Sequence, residues 1–221
     1  MVLRIALMDG EKPLGEGLAL RLAEKHEIMI GSWTEDVARE KCEWARSVLQ
    51  ESGRRGKLDY SENYKAIEEA EVVVTCSGYE RGIKAVEELV ASFEEQIVIS
   101  TMVPTVSYGG EVNYVQPREG SAALQLDSML PESTDVVACL HAIPPSRLKD
   151  LTKTPNFDVP VFSDSKSAKK KAFDLIRDIR FLKPLDGGSL NVSCLGEMMG
   201  ALIANVATIN RLRDPSFKFP E

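Results

Sequence analysis

The chain is poor in the residues that build metal centres and disulfide frameworks. Its 221 residues include two histidines, His26 and His141. The four cysteines, Cys42, Cys76, Cys139 and Cys194, are too scattered to form a Cys-x-x-Cys pair. A zinc site has little to work with, and no metal is expected. Cys76 and Cys139 lie in or just after apolar runs, where inert core thiols of a reducing compartment are found. Positive charge is in deficit too: 27 Lys and Arg against 34 Asp and Glu leave a net charge of -7. That argues against general affinity for nucleic acid or an anionic membrane. The N-terminus enters an apolar strand directly, without the pattern of a cleavable leader. The most apolar late stretch, residues 198–209, is short for a bilayer span and contains Asn205. A cytoplasmic protein with no nucleic-acid and no membrane partner is expected.

What is present is alternation. Residues 4–8 form a short apolar run, and leucine or alanine at 18, 19, 20, 22 and 23 gives a helix over 15–25 with one buried side. A strand follows at 27–31, then a helix over 34–50 that opens on Thr34, Glu35 and Asp36. "ESGRRGK" is a polar, glycine-broken loop. A short helix over 63–70 leads to "EVVVTC", a β-branched run expected of a strand buried on both faces. Helices over 82–93 and 120–129 flank the strands "QIVIST" and "DVVACLH". "VPVFSD", a Lys-rich amphipathic helix over 167–180, the strand and turn "FLKPLDGGSL" and a helix over 190–212 complete the chain. Strands and helices that alternate in this way imply a doubly wound parallel sheet of the Rossmann type. Residues 1–155 are read as the dinucleotide-binding domain and 156–221 as a small C-terminal part that completes the cleft. The last helix is rich in Gly, Ala and Met, which suits a pocket wall or a homodimer surface.

The opening turn is unusual. A pyrophosphate sits at a helix N-terminus because free N–H groups and the helix dipole point at it, and glycines allow the close approach. Here the frame Gly10-x-x-x-x-Gly15 survives, but Glu11, Lys12, Pro13 and Leu14 stand between. Glu11 sets a carboxylate where a phosphate is repelled, Lys12 offsets it, and Pro13 removes a donor. After the second strand the chain reads Ser32, Trp33, Thr34, with neither the acid that binds the ribose of NAD nor the basic cluster that holds the 2′-phosphate of NADP. Ser32 and Thr34 offer hydroxyls, and Trp33 offers a stacking face or a cover for the sheet end. His141 ends an apolar strand, where ligands bind in such sheets, and Pro144-Pro145 stiffens the loop after it. A core histidine and a pocket-lining one are both consistent with that position, whereas Cys139, Met102 and Tyr79 suit packing.

"LGEGLALRLA", "GSW", "ISTMVPT", "LHAIPPSRL" and "KPLDGGSL" follow one another in an order that resembles the coenzyme F420-dependent NADP oxidoreductases. The resemblance runs from Arg4 to about Leu202. It implies a Rossmann domain with a small helical appendage, NADP(H) at the opening turn, and direct hydride transfer between the deazaflavin of F420 and the nicotinamide, with positioning as the protein's contribution and no catalytic side chain. It implies that Met102, Val103 and Pro104 form one wall of the deazaflavin cleft and His141, Ala142, Ile143 and Pro144 the other. Gly10, Glu11, Lys12, Pro13 and Leu14, with Cys76, Ser77 and Gly78 at and after the end of "EVVVTC", take the dinucleotide, and Ser32 matches a serine near the 2′-phosphate. The departures fall on one side. Glu11 and Lys12 stand where the family has threonine and glycine, Trp33 and Thr34 where it has arginines, and Ser77-Gly78-Tyr79 where it has an apolar, proline-containing loop. Two arginines lost from a phosphate cost several kcal/mol, at about 1.5–3 for each charged hydrogen bond. Arg39, Lys41 or the Arg54–Arg55 pair are the nearest substitutes in sequence. Three functions follow: an F420-dependent oxidoreductase using NADP, or NAD in its place; a relative that binds F420 or another small acidic ligand as carrier or sensor; and a Rossmann enzyme using another adenine nucleotide such as S-adenosylmethionine.

Overall fold

A computed structural model describes residues 1–219. Among the described residues ten strands and eight α-helices alternate. β1 (Arg4–Met8), α1 (Pro13–Leu22), β2 (Glu27–Ser32), α2 (Glu35–Glu51), β3 (Lys57–Glu62), α3 (Asn63–Glu69) and β4 (Val72–Thr75) form the first half. α4 (Tyr79–Leu89), β5 (Ile97–Ser100), the hairpin strands β6 (Thr105–Tyr108) and β7 (Glu111–Tyr114), α5 (Ala122–Met129) and β8 (Asp135–Ala138) follow. α6 (Pro145–Lys149), β9 (Phe157–Phe162), α7 (Lys166–Asp178), β10 (Leu182–Gly188) and α8 (Cys194–Asn210) close the chain.

The large sheet has eight strands in the order β10-β9-β8-β5-β4-β1-β2-β3. The reversal of direction beside β1 creates the crevice that such folds use for ligands. Alternation within β1 sorts the two faces: Ile5 and Leu7 join a core under α1, α2 and α7, whereas Ala6 and Met8 join one under α3, α4 and α5. Six strands are parallel, and five of them, β1, β2, β4, β5 and β8, carry the expected apolar runs. β9 joins β8 antiparallel through Ala138 and Phe162 and pairs parallel with β10, so the last two strands run against the other six.

Three elements were not expected. β3, "KLDYSE", lies at the sheet edge beside β2 and is mostly polar. The β6–β7 hairpin and the one-turn α6 occupy stretches read as loops. The helix after β4 starts at Tyr79 instead of residue 82, because Gly78 takes the extended conformation before it. Thr34 does occupy the N-cap of α2, but its side chain makes no capping bond.

Candidate functional site

The turn after β1 is built by Asp9, not by Gly10. Asp9 takes the left-handed conformation (φ 55°), which short polar side chains tolerate. Gly10 is required for closeness: a Cβ there would lie 2.8 Å from the Leu7 carbonyl, and one on Gly15 would lie 2.5 Å from the Gly10 carbonyl. Pro13 sits in the first turn of α1, Lys12 is its N-cap without a side-chain bond, and Gly10 N–H donates to the Gly31 carbonyl. Leu14 and Gly15 N–H remain the donors at the helix mouth.

Asp9 is fully buried and was missed by the sequence reading. Its Oδ1 accepts from Asn63 Nδ2 (2.9 Å), its N–H donates to Asn63 Oδ1 (3.0 Å), and its Oδ2 accepts from Arg81 Nε (3.1 Å). Arg81, on the first turn of α4, therefore reaches across to the α1 turn. Glu11 Oε1 lies 3.3 Å from Lys12 Nζ and 3.7 Å from Arg81 Nη2, and its Oε2 is buried without a partner among the described residues. Ser77 Oγ is also buried without a partner. Two carboxylates and two cations thus meet where a pyrophosphate is expected. The residues fit that anion through Lys12 and Arg81, provided Glu11 gives up its place.

At the adenosine end, Ser32 is buried, Trp33 and Thr34 are exposed, and Arg39 is held by Asp36 at 2.7 Å. Lys41 faces Glu16 (3.1 Å), and Arg54 faces Glu24 (3.2 Å), so these substitutes are already paired.

The loops at 102–104 and 141–144, which the resemblance assigns to the deazaflavin cleft, come together. Gly200 of α8 lies between them: a Cβ on it would stand 2.7 Å from the His141 carbonyl and 2.9 Å from Val103 Cγ2. One turn earlier, a Cβ on Gly196 would stand 2.5 Å from Phe162 and 3.1 Å from His141 Nδ1. Small residues on α8 thus let it back both loops. His141 Nε2 is buried without a partner, and burial pulls the imidazole down to about 3, leaving it neutral. Its neighbours Ala142, Ile143 and Pro144 continue the wall, and Leu140 sets the bend with φ 65°. Ile143, Asp158 and Pro160 line a small cavity with His141. Pro104 is buried and Val103 half-buried. The side chains of Met102 and Cys76 face the core instead, Met102 beneath Gly82 and Cys76 with its thiol towards the Val74 carbonyl. Burial raises the thiols of Cys42 to about 11 and Cys139 to about 12, and raises that of Cys76, so these three are packing groups.

His26 is structural: Nδ1 accepts from Leu3 N–H (3.2 Å) and Nε2 bonds Asp178 (3.0 Å). Among the described residues no group of three or more His, Cys, Asp or Glu side chains is arranged to hold a metal.

The walls are held from behind. The Arg21 guanidinium of α1 donates to the carbonyls of Leu148 (2.8 Å), Arg147 (3.0 Å), Asp150 (2.7 Å) and Lys153 (2.9 Å). Burial would raise the Glu16 carboxyl, but Lys149 (2.8 Å) and Lys41 outweigh it and hold it below its ordinary value. The hairpin is clipped to α8: Val112 N–H donates to Asn205 Oδ1 (2.8 Å) and Asn205 Nδ2 to the Val112 carbonyl (2.6 Å). Glu197, fully buried, accepts from Tyr114 Oη (2.9 Å) and from the N–H groups of Ala122 and Ala123. Burial raises its pKa, and burial and Glu197 together raise that of Tyr114.

Residues 4–104 match the family described as NADP oxidoreductase, coenzyme F420-dependent. The F420-dependent NADP reductase of Methanocaldococcus jannaschii is 30% identical over 203 residues, covering 91% of each chain. That of Methanothermobacter marburgensis is 29% identical over 221 residues, covering 98% of this chain and 97% of its own. A crystal structure of a provisionally assigned F420-dependent NADP reductase from Arthrobacter sp. FB24 superposes with a TM-score of 0.82 at 18% identity, over 99% of this chain and all of the other. The fold, the order of the motifs and the end-to-end likeness agree: the chain belongs to the F420-dependent NADP reductase family.

Proposed function

We propose that this protein transfers a hydride between coenzyme F420 and NADP. The observation that carries the reading is the meeting of Val103 and His141 at Gly200, in a chain that matches F420-dependent NADP reductases over nearly its full length. Bound face to face, the two rings would exchange a hydride, two electrons and one proton passing together from the reduced ring to the oxidised one in either direction. The chain's own work is positioning. Val103 and Pro104 on one side and His141, Ala142, Ile143 and Pro144 on the other fix the plane of the ring. The uncharged His141 leaves Nε2 free for a hydrogen bond to a polar ring atom and places no cation beside the departing hydride. Leu14 and Gly15 N–H, with Ser77 and Gly78 opposite, receive the dinucleotide, and Ser32, Trp33 and Thr34 receive its adenosine end.

The test mixes the protein with oxidised F420 and either NADPH or NADH and follows deazaflavin absorbance. Bleaching with NADPH is expected. No change with either nucleotide would overturn the reading, and F420 binding without nicotinamide binding would identify a carrier or sensor.

The division of labour between residues 1–155 and 156–221 is part of the proposal, since Gly196 and Gly200 of the second part touch walls built by the first. So is a cytoplasmic homodimer. α8 exposes Leu195, Met198, Leu202 and Ile209 opposite its glycine face, which supports a self-contact. By length and composition the run Leu190–Asn210 does suffice to cross a bilayer, which removes the length argument made above. Glu197 and Asn205 are committed to polar partners within the chain, and the reading without a membrane or nucleic-acid partner rests on that and on the net charge of -7.

A further inference from the structure

The pyrophosphate seat of this chain already holds an anion, its own Glu11. The Glu11 carboxylate lies at the mouth of α1, with Oε1 between Lys12 Nζ (3.3 Å) and Arg81 Nη2 (3.7 Å). Neither distance is a close charge-assisted hydrogen bond, which would be about 2.8 Å. The second oxygen, Oε2, is buried with no partner, an arrangement that costs stability. Opposite, Ser77 Oγ is buried and likewise unpaired, on the segment that leads into α4 and Arg81. Arg81 is aimed by a stronger contact: Nε on the buried Asp9, which is itself fixed by Asn63. With Nε tied down and half its surface exposed, the guanidinium holds Nη2 towards Glu11 Oε1, 3.7 Å away.

We infer that Lys12, Arg81 and Ser77 form the side-chain seat for the dinucleotide pyrophosphate, and that Glu11 occupies it as an internal competitor when the nucleotide is absent. This rests on the function proposed above. Arg81 supplies the charge that the altered turn no longer concentrates, because a side-chain fork binds phosphate without glycines. Asp9 is a positioning residue that orients Arg81. Binding then exchanges a loosely held carboxylate for a phosphate that satisfies Lys12, Arg81 and Ser77 together. The exchange weakens apparent affinity without closing the site, as any competing intramolecular anion does.

The test is calorimetric titration of NADP, and separately of inorganic pyrophosphate, into the wild-type chain and into Glu11→Gln, Arg81→Met and the pair Asp9→Asn/Arg81→Met. The pair guards against misfolding, since it does not strand the Asp9 charge in the core. F420 binding, followed by its fluorescence, reports that the other half of the cleft is intact. Expected are tighter binding of both anions by E11Q, by about threefold or more, and weaker binding by about ten- to a hundredfold when Arg81 is removed in either background. Equal affinity in the wild type, E11Q and the Arg81 variants would overturn the inference while leaving NADP as the partner. Tighter pyrophosphate binding by E11Q in a protein that never oxidises NADPH would uphold the seat and overturn the proposed function instead.

Discussion

At the scale of single residues, His141 makes a prediction about acid. Its imidazole is held near 3 by burial, whereas in the unfolded chain it titrates near its ordinary value of about 6.5. Between those values the unfolded state binds the extra proton, so the contribution is present above about pH 6.5 and is lost as pH falls toward 3. Replacing His141 by Gln, which keeps a donor and an acceptor but does not titrate, should flatten that loss. Urea unfolding at pH 7 and pH 4.5 should show the wild type losing about 2.5 kcal/mol more than the variant; equal losses would place the proton elsewhere. The residues legible from sequence at this scale were those whose neighbours in the chain explain them. Gly10, Gly15, Pro13 and the loops at 103–104 and 141–144 are local motifs. Asp9 carried one missed signal, an acid immediately before the first glycine of the turn. Arg81 carried none, because its partner is 72 positions away, and a helix N-terminus looks the same whether or not it faces a ligand.

Helices and hairpins are the scale at which the cleft is held in register. Arg21→Met in α1 leaves the carbonyls of Arg147, Leu148, Asp150 and Lys153 without their donor. A cost of about 2–4 kcal/mol is expected in chemical denaturation, with a raised KM for F420, because α6 directly follows the His141 loop. Glu197→Ala strands two N–H groups of α5 and the Tyr114 hydroxyl, and should cost about 3 kcal/mol. Glu197→Gln, which keeps one acceptor, should recover part of it; an unchanged midpoint in both would show that the hairpin is anchored otherwise. The apolar strands and amphipathic helices were readable because burial imposes a period on the chain. β3 was harder to see: Leu58 and Tyr60 alternate with Asp59 and Ser61 and pack on the core, but two apolar residues after the polar "ESGRRGK" loop make a short and weak period. The β6–β7 hairpin escaped for a related reason: most of it is exposed, and Asn205 and Glu197, far along the chain, hold it in place.

The whole molecule adds what neither residues nor elements contain. The reversal of β9 and β10 follows from tertiary pairing at Ala138 and Phe162, and nothing in "VPVFSD" distinguishes a reversed strand from a parallel one. The proposed dimer makes its prediction here. Leu195→Lys with Leu202→Lys alters two exposed side chains on one side of α8 and should leave the unfolding midpoint nearly unchanged, within about 0.5 kcal/mol. In sedimentation it should convert a dimer to a monomer, and a wild-type chain that sediments as a monomer would sink the proposal. Finally, the fastenings are unequal. Arg21 and Glu16 bolt the His141 side to the first helix, whereas the Val103 side continues into a hairpin that hangs from α8 by Asn205 and Tyr114. One loop is therefore tied to the helix that follows the opening turn, and the other to the last helix of the chain. A displacement of α8 therefore reaches both loops at once, through Gly196 against His141 and Gly200 against His141 and Val103.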